Sequence, residues 1–364
     1  MNTKRLTLFV ALAVVLAGII AFAPVAASND TASSDCAFPV TDTDATDTEV
    51  TVDERPDRIV TLQPSTTQIV WDIGASDRVV GAPVGEHIAY LDGHGEPVDI
   101  TQEDGLTPSV EQVVDVEPDL VLAAGTQDEE QIQQLREANI TVFKFETPES
   151  FDALYDVIER TGRLTGECEG ADETLEWMTD EIDTVEEAVE GQESPLAFYP
   201  MGSGFTAGEG TFTDEIITTA GGENLGSKAG IEFYEVLSQE TIVEEDPEWI
   251  VHTDSFDEPP VEPEALEATT AWEEDQVLVV NASYMNQPGP RIVYPLQEIA
   301  EAFHPEAYAD AQTAESETTE PGADDETPTA DQQADAADEP MSGFGVGVAL
   351  LSVLLASLLA LRRR

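Results

Sequence analysis

Basic residues are scarce in this chain: 14 Lys and Arg stand against 76 Asp and Glu, a formal net charge of −62 at pH 7. A nucleic-acid binder needs a cationic footprint for the phosphates, so that class is excluded. A surface this acidic stays hydrated in concentrated salt, where screening removes the self-repulsion such a charge would cause. The composition points to a halophilic source and says little about a ligand. Cysteine is almost missing, with only Cys36 and Cys168, and no C-x-x-C pair is formed for metal or redox chemistry. The four histidines are His87, His94, His252 and His304. His87 and His94 share one loop region and His252 could approach from a second lobe, but the spacing matches no recognised zinc or manganese ligand pattern, so no metal site is assigned. There is no G-x-S-x-G elbow, no phosphate-cradling Walker loop and no H-E-x-x-H. Gly202-Ser203-Gly204 and Gly208-Glu209-Gly210 lack the strand–turn–helix setting of a dinucleotide site and read as turns. No catalytic residue or cofactor is assigned, and the chain is read as not an enzyme.

The two ends carry the only long apolar runs. Lys4 and Arg5 precede apolar residues from Leu6 to Val25, with a small-residue cleavage site at Val25-Ala26-Ala27. Residues 1–27 therefore read as an export signal, an uncleaved membrane helix being the alternative because the run is long. In an exported chain the even pair Cys36 and Cys168 suggests one disulfide; two separate thiols are the other possibility. Residues 309–340 are almost all Ala, Thr, Asp, Glu, Gln and Pro with no Lys or Arg. Such a segment cannot bury enough surface to fold, and it reads as an extended acidic stalk. Within 341–364, 19 uncharged residues from Gly343 to Leu361 precede Arg362-Arg363-Arg364. That is a membrane anchor with a cytoplasmic end, which places everything before the stalk on the outer face of the cytoplasmic membrane.

Between these ends strands alternate with helices. Arg58–Leu62, Arg78–Gly81, Asp119–Ala123 and Ile140–Phe145 read as strands. Ser65 (with Gln68 three residues on) and Ser109 (with Gln112) read as helix caps. The predicted class is α/β: two Rossmann-like lobes with mainly parallel sheets, residues 36–147 and 192–308, joined by connecting helices over 148–191. The connector breaks near Gly162–Gly170. Its second part places Leu175, Met178, Ile182, Val185 and Val189 three or four apart on one face. The most informative feature is an internal echo: SVEQVVDVEPDLVL at 109–122 and SQETIVEEDPEWIV at 238–251. Ser109 matches Ser238, Glu111 matches Glu240, Val114 matches Val243 and Pro118 matches Pro247. Two lobes of like topology follow, with a ligand cleft between them. Candidate cleft residues are Ser65, Thr66, Tyr90, Phe205 and Phe233-Tyr234, whose aromatic faces suit a large planar ligand. Arg291 after Gly289-Pro290 either bonds the ligand or pairs with a neighbouring carboxylate.

These stretches, together with RIVTLQPSTTQIVWDIGASDRVVG at 58–81, TAGEGTFTDEIITTAGGENLG at 206–226 and NQPGPRIVYPLQEIAEAFHPE at 286–306, resemble the ABC-importer binding proteins for cobalamin, iron-siderophores and haem. The opening FPVTDTDATDTEVTVDERPDRIV at 38–60 looks like the hairpin that begins many members. The resemblance implies two lobes on a rigid connecting helix, a permease and its ATPase as partners, and a small molecule as cargo. It places Glu111 and Glu240 at the positions that dock on permease arginines. A corrinoid is the expected ligand. The alternatives are a ferric siderophore or haem, and more distantly a metal ion or a surface-adhesion role. Two departures stand out: Gln68 where members commonly carry Glu, and a loop at 84–101 without the usual Tyr-Pro turn. The tail GFGVGVALLSVLLASLLALRRR resembles a haloarchaeal sorting signal, with Ser342-Gly343-Phe344 in place of its usual Pro-Gly-Phe.

Overall fold

A strand buried on both faces reads as a continuous apolar run, and that pattern governs both sheets here. The structure, a computed structural model, describes residues 36–319. It opens with an antiparallel hairpin, β1 (Val40–Thr43) and β2 (Glu49–Val52). The first sheet is built from β3 (Ile59–Thr61), β4 (Val79–Ala82), β5 (Val98–Asp99), β6 (Leu120–Ala123) and β7 (Val142–Lys144). Their order is β5-β4-β3-β6-β7 and every pairing is parallel. The crossovers carry α1 (Pro64–Asp72), α2 (Val110–Asp115) and α3 (Glu129–Glu137).

Two helices leave this lobe, α4 (Phe151–Thr165) and α5 (Cys168–Val189). The second lobe holds β8 (Leu196–Phe198), β9 (Phe205–Ala207), α6 (Phe212–Thr219), β10 (Glu223–Asn224), β11 (Tyr234–Val236), α8 (Gln239–Glu245), β12 (Trp249–Thr253) and β13 (Val277–Val280). Single turns punctuate it: α7 (Leu225–Lys228), α9 (Pro263–Leu266), α10 (Thr270–Glu273) and α11 (Ala282–Met285). Its sheet, β10-β8-β12-β13, is again wholly parallel, while β9 and β11 form a separate antiparallel ribbon. The helices α12 (Val293–Phe303) and α13 (Pro305–Thr319) then return to pack on α5.

One apolar core runs through the whole body. It joins Val50 and Val52 of the hairpin, Ile59 and Phe143 of the first sheet, Met178, Ile182 and Val185 of α5, and Val251 and Leu296 of the second lobe. Separate cores cover the far face of each sheet. The predicted stripe on α5 is therefore the spine to which both lobes are fixed, with Leu175 and Val189 at its margins. A disulfide joins Cys36 to Cys168, Cα atoms 6.0 Å apart, and ties the segment before the hairpin to the first turn of α5.

Two local expectations change and a third holds. Ser65 is not the cap of α1: Pro64 takes the first helical position, where its fixed φ and missing N–H cost nothing, and Gln63 is the flanking residue. Ser109 does cap α2, accepting from the Gln112 backbone N–H. Residues 309–319, expected as the start of the stalk, are helical, because Tyr308 buries its ring and Ala311 packs against the core beside α5. The remaining stalk, the signal and the anchor lie outside the described residues. Among the described residues no helix is long and apolar enough to cross a membrane.

Candidate functional site

Parallel sheets gather their loops at the carboxyl ends of the strands, and that is where open α/β folds bind ligands. In the first lobe the loop after β3 brings Ser65 and Thr66 beside Gly125 and Thr126 from after β6 and Thr147 and Pro148 from after β7. Together with Pro288 of the other lobe they line a small hollow of about 50 Å³. Small residues and hydroxyls dominate its surface, with Glu146 as the one charged group. Thr66 is buried and donates its hydroxyl to the Gln63 carbonyl at 2.8 Å, so it forms floor rather than an offered donor. Ser65 is partly exposed.

The second lobe contributes aromatic surface instead. Phe205 and Val236 face each other across the β9–β11 ribbon, Tyr234 pairs with Ala207, and Phe205, Phe233, Tyr234 and Val236 are all exposed. Phe233 holds φ +60, a left-handed backbone that bulky residues rarely adopt. The strain is sustained by paired bonds: its N–H donates to the Glu209 carbonyl and its carbonyl accepts from Gly208. The Tyr234 hydroxyl is raised above its ordinary pKa by burial and by the negative Glu149 of the β7–α4 loop. Beneath the ribbon, Phe205 and Val236 open onto a hollow of about 540 Å³ that reaches Ser238 and Gln239 at the start of α8.

Tyr90, a candidate ligand contact, and Arg291, open to either a ligand bond or a carboxylate pair, lie in the seam between the lobes. Gln68, buried on α1, donates to the Tyr90 hydroxyl at 2.6 Å and accepts from the Arg291 backbone N–H at 2.9 Å. Tyr90 in turn donates to Gln287 Oε1 at 3.2 Å, and Gln287 donates to the His87 carbonyl. The Arg291 guanidinium lies 5.1 Å from the Tyr90 ring centroid and holds Asp72 through Nε and Nη2, the latter at 2.9 Å. Of the two roles open for Arg291, the carboxylate pair is the one formed. Burial pushes the Tyr90 hydroxyl up to about 12, so it stays protonated and able to donate. Burial also lifts the Asp72 carboxyl above its usual range despite the guanidinium beside it. Gly289 is required here: a Cβ on it would sit 2.5 Å from Gln68 Oε1. An aromatic file continues the seam, Tyr90 to Tyr284 at 5.1 Å, Tyr284 to Tyr294 at 5.4 Å and Tyr294 to Trp177 of α5 at 5.8 Å.

Asp72, Tyr284 and Gln287 were not singled out from sequence. Asp72 sits one turn after Gln68 on α1, and Gln287 lies in the quoted Gln-Pro-Gly-Pro-Arg turn; both signals were present. All nine described Lys and Arg are engaged. Eight pair with carboxylates and Arg58 donates to the carbonyls of Val116 and Glu117. His94, His252 and His304 each contact a backbone carbonyl, and the described residues hold no cluster suited to a metal ion. Glu111 and Glu240 are exposed in the first turns of α2 and α8, with no hydrogen-bond or ion-pair partner among the described residues.

A family model described as a periplasmic binding protein matches residues 59–282. A cobalamin-binding protein of Halobacterium salinarum is 39% identical over 308 residues, covering 81% of this chain and 83% of that one. An ABC transporter substrate-binding lipoprotein of Bacillus subtilis, YvrC, is 28% identical over 74% of this chain and 87% of its own. Among solved structures, the periplasmic haem-binding protein RhuT from Roseiflexus superposes with a TM-score of 0.61 at 23% identity, over 69% of this chain and 99% of that chain.

Proposed function

Because the chain belongs to the periplasmic binding protein family, we propose that it is the solute receptor of an ABC importer, that it has no enzymatic activity, and that it captures a corrinoid between its lobes for delivery to the permease and ATPase. The ligand assignment is supported by one observation: the candidate cleft residues offer aromatic faces, hydroxyls and carboxylates but no free cation. Phe205, Phe233 and Tyr234 are exposed in the second lobe, Ser65 and Thr126 line the hollow of the first, and every described Lys and Arg is engaged. Haem carries two carboxylates, and many ferric chelates are anionic. Either would meet Glu149 with no basic group to receive it. A corrinoid presents a broad planar ring edged by neutral amides, which aromatic faces and hydroxyls can hold without a counter-ion. The cobalamin-binding relative supports the same choice.

The family's extracytoplasmic setting and the apolar tail read from sequence support attachment to the outer face of the membrane. Titration calorimetry in molar KCl tests the ligand. Cyanocobalamin should bind at one site per chain, with haemin and a ferric hydroxamate far weaker. Tight binding of haemin or the ferric chelate with no heat from cyanocobalamin would overturn the assignment.

A further inference from the structure

The triplet Asn-x-Ser/Thr occurs at Asn29-Asp30-Thr31, Asn139-Ile140-Thr141 and Asn281-Ala282-Ser283. In a chain that faces outward it is the acceptor for N-linked sugar, and it serves as one from a surface turn. The triplet recurs by chance, so the local structure has to decide. Asn29 lies outside the described residues. The other two stand in opposite settings.

Asn139 follows Ala138, the C-cap of α3, and takes φ +63. Asparagine is one of the few residues that enter this left-handed region readily. Its N–H donates to the Arg136 carbonyl at 2.9 Å, and the Ile140 N–H donates to the Leu135 carbonyl at 3.2 Å, the paired closure that ends many helices. Ile140 packs against the apolar cluster that holds Leu135. Backbone bonds and Ile140 therefore make the stop, and the Asn139 amide takes no part in it. That side chain is exposed and has no hydrogen-bond partner among the described residues. The Thr141 hydroxyl is likewise without a partner, on a residue only partly covered.

Asn281 is the reverse case. Its Oδ1 caps α11, accepting from the Ser283 N–H at 2.9 Å and the Tyr284 N–H at 3.2 Å. An amide nitrogen is nucleophilic only when its lone pair leaves conjugation with the carbonyl, and hydrogen bonds accepted by that carbonyl strengthen the conjugation. Ser283 is fixed inside the helix, and the Ala282 N–H donates to Asp254 at 2.8 Å. Tyr284 stacks in the aromatic file of the seam, so drawing this segment out would open the seam.

We propose that Asn139 carries an N-linked glycan and that Asn281 does not. The donor is a lipid-linked oligosaccharide, its C1 joined to a lipid phosphate, used by a membrane glycosyltransferase on the outer face. Asn139 Nδ2 attacks C1. The Nδ2–C1 bond forms, the C1–O bond breaks with its electron pair leaving on the lipid phosphate, and one Nδ2 proton passes to a base of the transferase. The acceptor turn leads from α3 into β7, at the amino end of the first sheet. Ser65, Thr126 and Thr147 lie at the carboxyl ends of that sheet's strands, so a glycan on Asn139 leaves the candidate cleft open. The inference needs the export proposed above and is independent of which ligand is bound.

The test uses the full chain purified from its own organism, digested after glutamate and read by mass spectrometry, beside N139D, T141V and T141S. Aspartate tolerates the left-handed turn and valine keeps the shape of Thr141, so both variants fold. The peptide 138–146 should carry a glycan in wild type and T141S and none in N139D or T141V. The peptide holding Asn281 should be unmodified in all four. N139D should bind cyanocobalamin as wild type does; tighter binding would overturn the statement that the cleft is left open. An unmodified 138–146 peptide in wild type would overturn the proposal, and a glycan on Asn281 would overturn the selection between the two sites. A modification kept in N139D and lost in T141V would sit on the Thr141 hydroxyl and overturn it equally. Protease treatment of intact cells separates the two levels. An unmodified chain that is cut there defeats the glycan alone, and one that is protected defeats the export reading with it.

Discussion

Replacing Gln68 by leucine removes both polar atoms at the centre of the seam while nearly keeping the volume. In the native seam Gln68 Oε1 accepts from the Arg291 N–H at 2.9 Å and Nε2 donates to the Tyr90 hydroxyl at 2.6 Å, and the side chain is fully buried. Tyr90 retains Gln287 as a partner. The Arg291 N–H retains none, because Gln68 Oε1 is its acceptor and leucine offers no polar atom in its place. An orphaned buried N–H costs about 1–3 kcal/mol, and the lost bond to Tyr90 adds about 1. Leucine recovers part of this by burying apolar carbon, so the net loss should be about 2–3 kcal/mol, a fall of roughly 5–10 °C in Tm. Cyanocobalamin affinity should fall as well, since the lobes lose a bond that fixes their angle.

Gln68→Glu separates the geometry from the chemistry. A carboxylate still accepts from Arg291, but it lies one turn from Asp72 in a dry seam and takes the Tyr90 proton away from Gln287. Burial would raise that new carboxyl above the ordinary value, so the folded state would hold its proton more tightly than the unfolded chain does. The deficit of Q68E should therefore be largest at neutral pH and shrink as pH falls toward the raised value. Circular-dichroism melts in molar KCl across acid to neutral pH measure both variants. A Tm for Q68L within about 1 °C of wild type would refute the reasoning, for it would mean that the Arg291 N–H finds another acceptor.

Three further outcomes are expected. Asp44 accepts from Thr46, Thr48, the Lys144 N–H and Arg136, bonds that outweigh its burial and hold its carboxyl below 3.8. Its stabilisation is fully present above that unfolded value and is lost as pH falls through the lower folded one. D44N should therefore cost about 1–3 kcal/mol at neutral pH and flatten the acid limb of a urea-midpoint profile. C36S/C168S, which opens a closure of 132 residues, should cost about 2–4 kcal/mol, read by the same melts with and without reductant. A chain ending at Thr319 should melt like the full-length protein, whereas one ending at Pro305 loses the buried Tyr308 and should be less stable by about 2–4 kcal/mol.

The α/β class, the parallel sheets and the spine of α5 were legible because each rests on a period or a cap that one segment carries alone. Val113 and Leu120 are buried for reasons visible within a dozen residues, and the Ser109 cap is local chemistry. The seam was not legible. Whether Arg291 meets a ligand or Asp72 depends on where two elements 219 residues apart are brought together, and no window of sequence holds both. The helical start of the stalk was hidden for a related reason: its composition is that of a solvated chain, and only the exposed side of α5 gives Tyr308 and Ala311 something to cover.

What the two lobes share and what they do not divides along the same line as the two partners proposed for them. Outward they repeat, down to the left-handed residue before each proline. Inward they differ: hydroxyls and glycine after β3, β6 and β7 on one side, the strained aromatic ribbon of Phe205, Phe233 and Tyr234 on the other. A ligand has no such symmetry to match, so the two walls of the cleft are free to diverge. The ribbon leads directly into α8, since β11 ends at Val236 and Ser238 caps the helix. The backbone that would touch the ligand at Tyr234 is thus six residues from the carboxylate of Glu240.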